Sequence, residues 1–505
     1  MKARRSFYNM TFGFISQIVT IAFGILIPRL FILKLGSEAN GFMASIGQIF
    51  VYMSILEAGV GTATIQALYK PLSLDDKYSI NSILSATSKY YKKTGRFYLL
   101  AVLTMSIVYS VCIKSEINNV SVFLVILLTG MVGVINFFFQ AKFKLLLTAE
   151  GKGYIVTNIG IIINILTNIT KITLLMLGYN IILIQLAYFI INVLQMILIS
   201  LYIKKKYKWI NLNVKPNYSA ISQKNSVLIH EISTMIFNNT DVFILTIFCG
   251  LKVVSIYVMY NLVFQMINNF INNINSAAVF TLGSTYYENR NKFLSLYDAY
   301  ELYYMATVFA LYSITYILVL PFMKLYTAGI TDINYIDSWL PILFVTLNLM
   351  SFARIPGVNA ISVAGHFKKT QNRTILEAAI NIVVSLICVN KFGIYGVLIG
   401  TIIALLYRTN DIIIYTSRRI LKRSSLITYK RWLVNIVLFL SIVVTSNKLN
   451  IAPNSYIKFA KTGFILLIII FPIFFIVVSV FEIKSFKYAL GFVKKYLNIF
   501  TNKFK

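Results

Sequence analysis

The stretch TFGFISQIVTIAFGILIPRLFIL, residues 11–33, contains one charged side chain, Arg29, among 23 residues. A helix of about 20 apolar residues is long enough to cross the hydrocarbon core of a bilayer. Similar stretches recur along the whole chain, and residues 464–481 contain no charged residue at all. This pattern predicts an all-α, polytopic membrane protein.

The apolar stretches predict about fourteen transmembrane helices, separated by short polar or basic segments. The thirteenth is the shortest of them. The predicted spans are residues 11–33, 40–69, 96–113, 120–141, 154–177, 180–203, 226–250, 253–282, 301–322, 338–364, 374–390, 393–415, 432–446 and 462–482.

The composition agrees with a lipid environment, because 58% of the 505 residues are hydrophobic and 12% are charged. The net charge of +31 does not indicate nucleic-acid binding, since the basic residues cluster between apolar stretches, as the positive-inside rule requires. With the N-terminus inside, 35 of the 47 Lys and Arg residues fall in inner segments and 8 in outer loops. We therefore predict a multi-pass protein of the bacterial cytoplasmic membrane with both termini in the cytoplasm.

The sequence offers no arrangement typical of an enzyme. It has two histidines and 16 acidic residues, which lie mostly in loops. Cys112, Cys249 and Cys388 are far apart, so neither a metal nor a redox site is predicted. The outer loops are short, which counts against a polymerase. We expect no cofactor and no catalytic residue, and a protein that moves a substrate instead.

The two halves of the chain resemble each other weakly. Residues 147–168 and 362–385 both place a glycine before a basic loop and an asparagine, Asn164 or Asn381, in the helix that follows. Six predicted helices separate equivalent positions, which indicates a parallel repeat about an axis along the membrane normal. The predicted organisation is a six-helix bundle, a second six-helix bundle, and two extra helices with a basic cytoplasmic tail. Their bounds are residues 1–210, 211–416 and 417–505.

The run PRLFILKLGSEANGFMASIGQIFVYMSILEAGVGTATIQALYKPLS, residues 28–73, resembles the first two helices of Wzx-type oligosaccharide flippases. These belong to the polysaccharide transporter family of the MOP superfamily. NNTDVFIL around Asp241 is similar to the start of the second bundle in that family, and NKFGIYGVLIGT to its helices eleven and twelve. The resemblance covers residues 1–415. The matching positions, in order, are Arg29, Leu35, Gly36, Gly41, Gly59 and Gly61.

The resemblance implies a transporter that flips undecaprenyl-pyrophosphate-linked glycans between the leaflets by alternating access. Membrane lipids, and a polysaccharide polymerase with its export machinery, are the partners that it suggests. It does not identify the sugar or the O-antigen, capsule or other pathway. A lipid II flippase, a MATE-like multidrug cation antiporter and a polysaccharide polymerase are the alternatives. The antiporter would need an acidic cavity, which the cations in the predicted spans disfavour.

Four cations lie inside predicted spans, where a charge at the bilayer centre costs about 2.5–3.5 kcal/mol. We predict that they line a central cavity and bind a pyrophosphate, for which the planar guanidinium of arginine is well suited. Arg29 and Lys171 belong to the outer half of the first predicted bundle, and Arg354 and Arg408 to the inner half of the second.

Each cation also has a structural interpretation. Arg408 precedes Asp411 by three residues, so the two can pair on one helix face. Arg29 can pair with Glu57 or extend to the outer surface, and Lys171 can do the latter.

Polar side chains of the seventh and eighth predicted helices are further candidates. Asp241, like Glu57, is a candidate for ion coupling or for a structural bond. One face of helix eight is expected to line the cavity and bind sugar hydroxyls, with helix–helix contacts as the alternative; it comprises Asn268, Asn272, Asn275 and Ser276. The tail, residues 484–505, predicts a basic amphipathic helix on the inner membrane surface.

Overall fold

A computed structural model describes residues 2–54, 60–113, 115–221, 239–449 and 451–491, and these ranges contain helices and no strand. The first eight helices are α1 (Lys2–Met53), α2 (Val60–Ser73), α3 (Lys77–Cys112), α4 (Asn119–Ile135), α5 (Ala141–Ala149), α6 (Gly153–Met176), α7 (Ile181–Lys206) and α8 (Asn239–Phe248). The next eight are α9 (Leu251–Glu288), α10 (Arg290–Tyr326), α11 (Leu340–Ala353), α12 (Ile355–Val363), α13 (Phe367–Phe392), α14 (Ile394–Tyr415), α15 (Leu426–Leu449) and α16 (Tyr456–Phe481).

Twelve helical stretches of the described ranges are long and apolar enough to cross a membrane, and α8 is a shorter apolar helix. The prediction of an all-α, polytopic membrane protein is therefore confirmed. The count of fourteen spans and the cytoplasmic termini stay predictions. Residues 484–491 of the predicted tail helix are helical, and residues 492–505 lie outside the described part of the chain.

The helix α1 breaks at Gly36, between the first two predicted spans. Gly36 has φ 86° and ψ 166°, a conformation that is open to glycine and strained for other residues. Beyond the break, the backbone N–H and the hydroxyl of Ser37 donate to the Asp332 carboxylate over 2.6 and 2.7 Å. The backbone N–H that the break leaves without a helical partner is thereby satisfied.

The chain forms two compact units. The first contains residues Met1–Val258 and Ile330–Ile333, and the second contains Met259–Gly329 and Asn334–Lys505. This division by packing differs from the predicted division at residues 210 and 416. The two six-helix bundles with two added helices therefore stay a prediction.

In the first unit, an apolar core lies between the C-terminal half of α1 and the helices α3, α4 and α7, with Phe42, Val102 and Ile126 buried in it. The segment that follows α7 runs along the start of α3. Hydroxyls of Ser82 and Ser85 donate to backbone carbonyls of this segment over 2.8 and 2.9 Å. These bonds explain why α3 is much longer than the apolar span predicted for it.

In the second unit, α10 is the most deeply packed of the spans described, with 78% of its apolar window buried. It packs against α11, α15 and α16. Its buried aromatic residues include Tyr297, Phe309 and Tyr312. The helix α15 has 24 residues, and is thus longer than the span predicted at residues 432–446.

Candidate functional site

The two cations predicted for the first bundle both lie in the first unit. Arg29 is half-buried in α1, directly after Pro28. The ammonium of Lys171, on α6, lies 4.8 Å from the ring centre of Tyr188 on α7. This is a cation–π contact, which stabilises the half-buried ammonium without neutralising it. Glu57, the predicted partner of Arg29, lies outside the described residues.

Arg354 lies at a helix break in the second unit. It separates α11 from α12, and Pro356 follows in the first turn of α12. Proline has no N–H and disrupts a continuous helix, so the predicted span 338–364 is divided here. The Arg354 guanidinium Nη1 lies 2.7 Å from Oε1 of the buried carboxylate of Glu377, on α13.

Arg408 on α14 contacts the same carboxylate. Its Nε lies 3.5 Å from Glu377 Oε2 and its Nη1 lies 2.5 Å from Asp411 Oδ2. Arg373 on α13 also pairs with Asp411. Three arginines and two carboxylates thus form one cluster at the junction of α11 with α12 and along α13 and α14. We call these five residues the Glu377 cluster.

The structure therefore brings Arg354 and Arg408 together through an acidic residue that the sequence analysis did not select. The pairing of Arg408 with Asp411, given above as an alternative, is present. Glu377 is the one acidic residue within the predicted span 374–390, so counting acids as well as bases would have identified it. Whether these arginines line a substrate cavity stays a prediction.

The asparagines of α9 make contacts within the second unit. Asn268 accepts a hydrogen bond from the Tyr312 hydroxyl and donates to Asn348 Oδ1 over 3.0 Å. The Oδ1 of Asn275 accepts hydrogen bonds from Tyr300 Oη and Asn359 Nδ2, over 2.7 and 2.6 Å. Both amides therefore join helices, as the alternative proposed.

The remaining two positions on this face of α9 differ in what the structure describes. Asn272 is exposed, and the side chain of Ser276 lies outside the described part of the chain. Whether this face of α9 lines a cavity stays a prediction.

Asp241 is buried in α8, and Tyr257 on α9 donates a hydrogen bond to its Oδ2 over 3.0 Å. This contact is the structural bond considered above. Ion coupling through Asp241 stays a prediction. Within the described residues, no group of three or more His, Cys, Asp or Glu side chains is arranged to hold a metal ion.

A second buried ion cluster joins α10, α15 and the end of α16. The Arg431 guanidinium contacts Glu301 and also Glu482, over 2.6 Å. Arg423 lies 2.5 Å from Glu301 and also contacts Asp298. Burial alone would raise the pKa of Glu482, but hydrogen bonds and charge from Arg431 hold that pKa below its ordinary value. We call these five residues the Arg431 cluster.

One buried cation of the first unit was assigned to a loop by the sequence analysis. Lys142 lies on α5, where it is 7% exposed. Its ammonium donates to the carbonyl oxygens of Phe138 and Phe139 over 3.1 and 3.3 Å. Within the described residues, no carboxylate lies within ion-pair distance of Lys142 or Lys171. The first unit thus contains one buried ammonium, that of Lys142, and one half-buried ammonium, that of Lys171, without an acidic partner among the described residues.

No protein-family model matches the sequence, and no curated protein matches it. Solved structures do. The lipid II flippase MurJ in an inward closed conformation matches with a TM-score of 0.70 and 14% identity, over 94% of this chain and 98% of that one. An inward-facing multidrug resistance MATE family transporter of the MOP superfamily matches with a TM-score of 0.64 and 18% identity, over 81% and 95%.

A MOP superfamily transporter from Pyrococcus furiosus matches with a TM-score of 0.50 and 18% identity, over 84% of this chain and 96% of that chain. Its description states that the reverse polarity of its binding pocket suggests a different function. Identities this low establish a common fold and leave the substrate open. The chain has the fold of the transporters of the MOP superfamily.

Proposed function

We propose that this protein is a flippase that carries a polyprenyl-pyrophosphate-linked oligosaccharide across the cytoplasmic membrane. The shared fold supports a transporter, and the likeness to the lipid II flippase extends over 94% of the chain. The glycan headgroup crosses inside the protein, while the polyprenyl chain stays in lipid. The protein alternates between inward-open and outward-open states during each cycle.

The observation that carries this proposal is the charge of two lysines of the first unit, the buried Lys142 and the half-buried Lys171. Lys142 and Lys171 lie in the first unit with no carboxylate at ion-pair distance among the described residues. A buried charge without a counter-ion is costly, and an anionic cargo would offset that cost. A cation antiporter requires the opposite sign. The reversed pocket polarity reported for the Pyrococcus furiosus transporter suggests that this fold accommodates both signs.

The predicted headgroup ligands divide into two groups. Lys171, which has no carboxylate at ion-pair distance among the described residues, and Arg29 are the ligands proposed in the first unit. Arg354 and Arg408 are paired with Glu377, so in this proposal they contact the pyrophosphate only by exchanging the carboxylate for a phosphate. Such an exchange would link the presence of cargo to the packing of α13 and α14.

Complementation tests this function. In a strain that lacks the gene, lipid-linked repeat units should accumulate in the inner leaflet, and the wild-type gene should restore their export. Arg29→Ala and Lys171→Ala should each reduce export at least about tenfold, since a hydrogen bond to a charged group contributes about 1.5–3 kcal/mol. Lys458→Ala is the matched control, because Lys458 is exposed in the first turn of α16.

Two results would contradict the proposal. Full export by both variants would exclude headgroup binding by these cations. Export of a cationic dye by the purified protein in vesicles, without movement of a pyrophosphate lipid, would favour the multidrug antiporter.

The likeness to MurJ supports a second candidate, a lipid II flippase. This candidate would also use cations to bind a pyrophosphate. Rescue of cells depleted of their own lipid II flippase, without export of other glycans, would favour it. Conversion of short lipid-linked units into polymer ladders by the purified protein would instead favour the polymerase.

A further inference from the structure

The helices α3 and α5 of the first unit pack against each other, and both carry basic residues and no acidic residue. Between Asp76 and Glu150 the sequence contains a single acid, Glu116, in the loop that joins α3 to α4. Four exposed cations of α3 are spaced three and four residues apart, and therefore lie on one helix face. We call them the basic stripe: Lys89, Lys92, Lys93 and Arg96.

The basic stripe begins where the buried part of α3 ends. Residues 81–88 are buried, and the segment after α7 binds there through Ser82 and Ser85. From Lys89 onward the cations of α3 are exposed. The stripe is therefore open to a ligand next to a part of the helix that is fixed in place.

A close helix contact brings the basic stripe to Lys142. Between α4 and α5 the chain makes a π-helical turn, Asn136–Gln140. A Cβ atom added at Gly95 of α3 would lie 2.9 Å from Phe138 Cε2 and 3.2 Å from Phe137 Cβ, so only glycine permits this approach. Lys92 lies three residues before Gly95 on α3, and its charge acts on the Lys142 ammonium.

The bonds that Lys142 makes do not remove its charge. The π-helical turn leaves carbonyl groups without their usual partners, and Lys142 binds those of Phe138 and Phe139. Carbonyl dipoles stabilise an ammonium only in part. A buried ammonium that faces a second cation, with no carboxylate near it among the described residues, needs an anion to balance it.

We propose that Lys142 and the basic stripe bind the phosphates of a lipid headgroup at the predicted cytoplasmic end of the first unit. The identity of that lipid rests on the proposed function, in which a polyprenyl pyrophosphate docks here before it enters the protein. The phosphates of anionic phospholipids share this chemistry. In this site the buried Lys142 contributes one charge to the phosphates, and the exposed residues of the basic stripe bind the other phosphate oxygens.

Binding to purified protein tests the site. The full chain is placed in phosphatidylcholine nanodiscs and titrated with farnesyl pyrophosphate, with farnesol as the uncharged probe. Lys142→Gln and Lys92→Gln should each weaken farnesyl pyrophosphate binding at least about tenfold. Lys205→Gln, which removes an exposed cation at the end of α7, should bind as the wild type does. Farnesol should bind all four proteins equally.

Competition distinguishes the two phosphate sources. If phosphatidylglycerol in the nanodiscs leaves farnesyl pyrophosphate binding unchanged, the site prefers the pyrophosphate of the cargo. If phosphatidylglycerol displaces it, and Lys142→Gln abolishes that displacement, the site binds the headgroups of the surrounding membrane. Equal binding of farnesyl pyrophosphate by the wild type and Lys142→Gln would overturn the proposal.

Thermal unfolding separates a ligand site from a purely structural role. If Lys142 serves only to bind the turn carbonyls, Lys142→Gln should lower the Tm of the ligand-free protein. If it is a site, removal of the charge should relieve repulsion and leave that Tm unchanged or higher. Farnesyl pyrophosphate should then raise the Tm of the wild type and not that of the variant. Pyrophosphate binding without glycan export in cells would contradict the proposed function and leave this site standing.

Discussion

Glu377 is almost fully buried and contacts two arginines, Arg354 from the junction of α11 with α12 and Arg408 from α14. These residues come from distant parts of the sequence. A buried ion pair contributes modestly as a whole, but the loss of one partner leaves a charge uncompensated in a low-dielectric interior. The stability of this part of the second unit therefore depends on one carboxylate.

We expect Glu377→Gln to lower the free energy of unfolding by about 3–5 kcal/mol, because Arg354 loses its carboxylate and Arg408 keeps only Asp411. Thermal unfolding of the purified protein in detergent would measure this as a lower Tm. Glu288→Gln, at the exposed end of α9, removes the same charge and should leave the Tm unchanged. An unchanged Tm for Glu377→Gln would mean that the cluster is hydrated and contributes little.

Two glycines of α1 provide a test of the helix break at Gly36. Gly36→Ala should destabilise the protein by about 1–3 kcal/mol, because its φ of 86° and ψ of 166° suit glycine alone. Gly24→Ala is the control, since a Cβ there meets no atom within 4 Å; it should stabilise α1 by up to about 1 kcal/mol. Unfolding in denaturant would compare the two variants. Equal effects would argue against a break at Gly36.

The helices show where hydropathy succeeds and where it fails. It located the apolar cores of the spans, because those residues face lipid. It missed the start of α3, whose Ser82 and Ser85 bind the segment after α7 rather than water or lipid. It also placed Lys142 in a loop, because a single basic residue ends an apolar window even when the helix continues. Contacts such as those of Glu377 depend on the alignment of separate helices, which one sequence does not reveal.

The end of α16 is held by Glu482, which accepts hydrogen bonds from Arg431 of α15 over 2.7 and 2.6 Å. Its folded pKa lies below the ordinary value of 4.5, so the folded state binds the proton less tightly than the unfolded chain. The contact therefore contributes its full stabilisation above pH 4.5 and loses it as the pH falls through the lowered pKa.

Hydrogen exchange of the last turns of α16 measures this effect. At neutral pH, wild-type amides should exchange more slowly than those of Glu482→Gln. The ratio of the two rates should approach one as the pH falls below the folded pKa, because both proteins then carry an uncharged side chain at this position. A ratio that stays constant with pH would show that the carboxylate does not hold α16 in place.

The two units of the molecule differ in whether their basic side chains are paired with carboxylates. In the second unit, the Glu377 cluster and the Arg431 cluster together contain five basic and five acidic side chains. In the first unit, Lys142 and Lys171 have no such partner among the described residues. The arginines of these two clusters are thus balanced by carboxylates within the second unit, and the first unit is the part in which an anionic cargo would change the energetics most.

The sequence indicated the fold class and the superfamily resemblance but not this asymmetry. Apolar length and the placement of basic residues reveal lipid contact and orientation, because both act locally along the chain. Whether Arg354 or Lys142 has a counter-ion depends on which helices pack together.

The Arg431 cluster imposes an order on biosynthesis. Glu301 precedes Arg423 by 122 residues and Arg431 by 130. At about 5–20 residues per second, a ribosome needs roughly 6–24 seconds to supply the first of these arginines. Until then, the carboxylates of Asp298 and Glu301 on α10 have neither arginine to pair with. A translation product that stops short of Arg423 would lack both arginines permanently, and the charge of Glu301 would stay without the ion pairs that balance it.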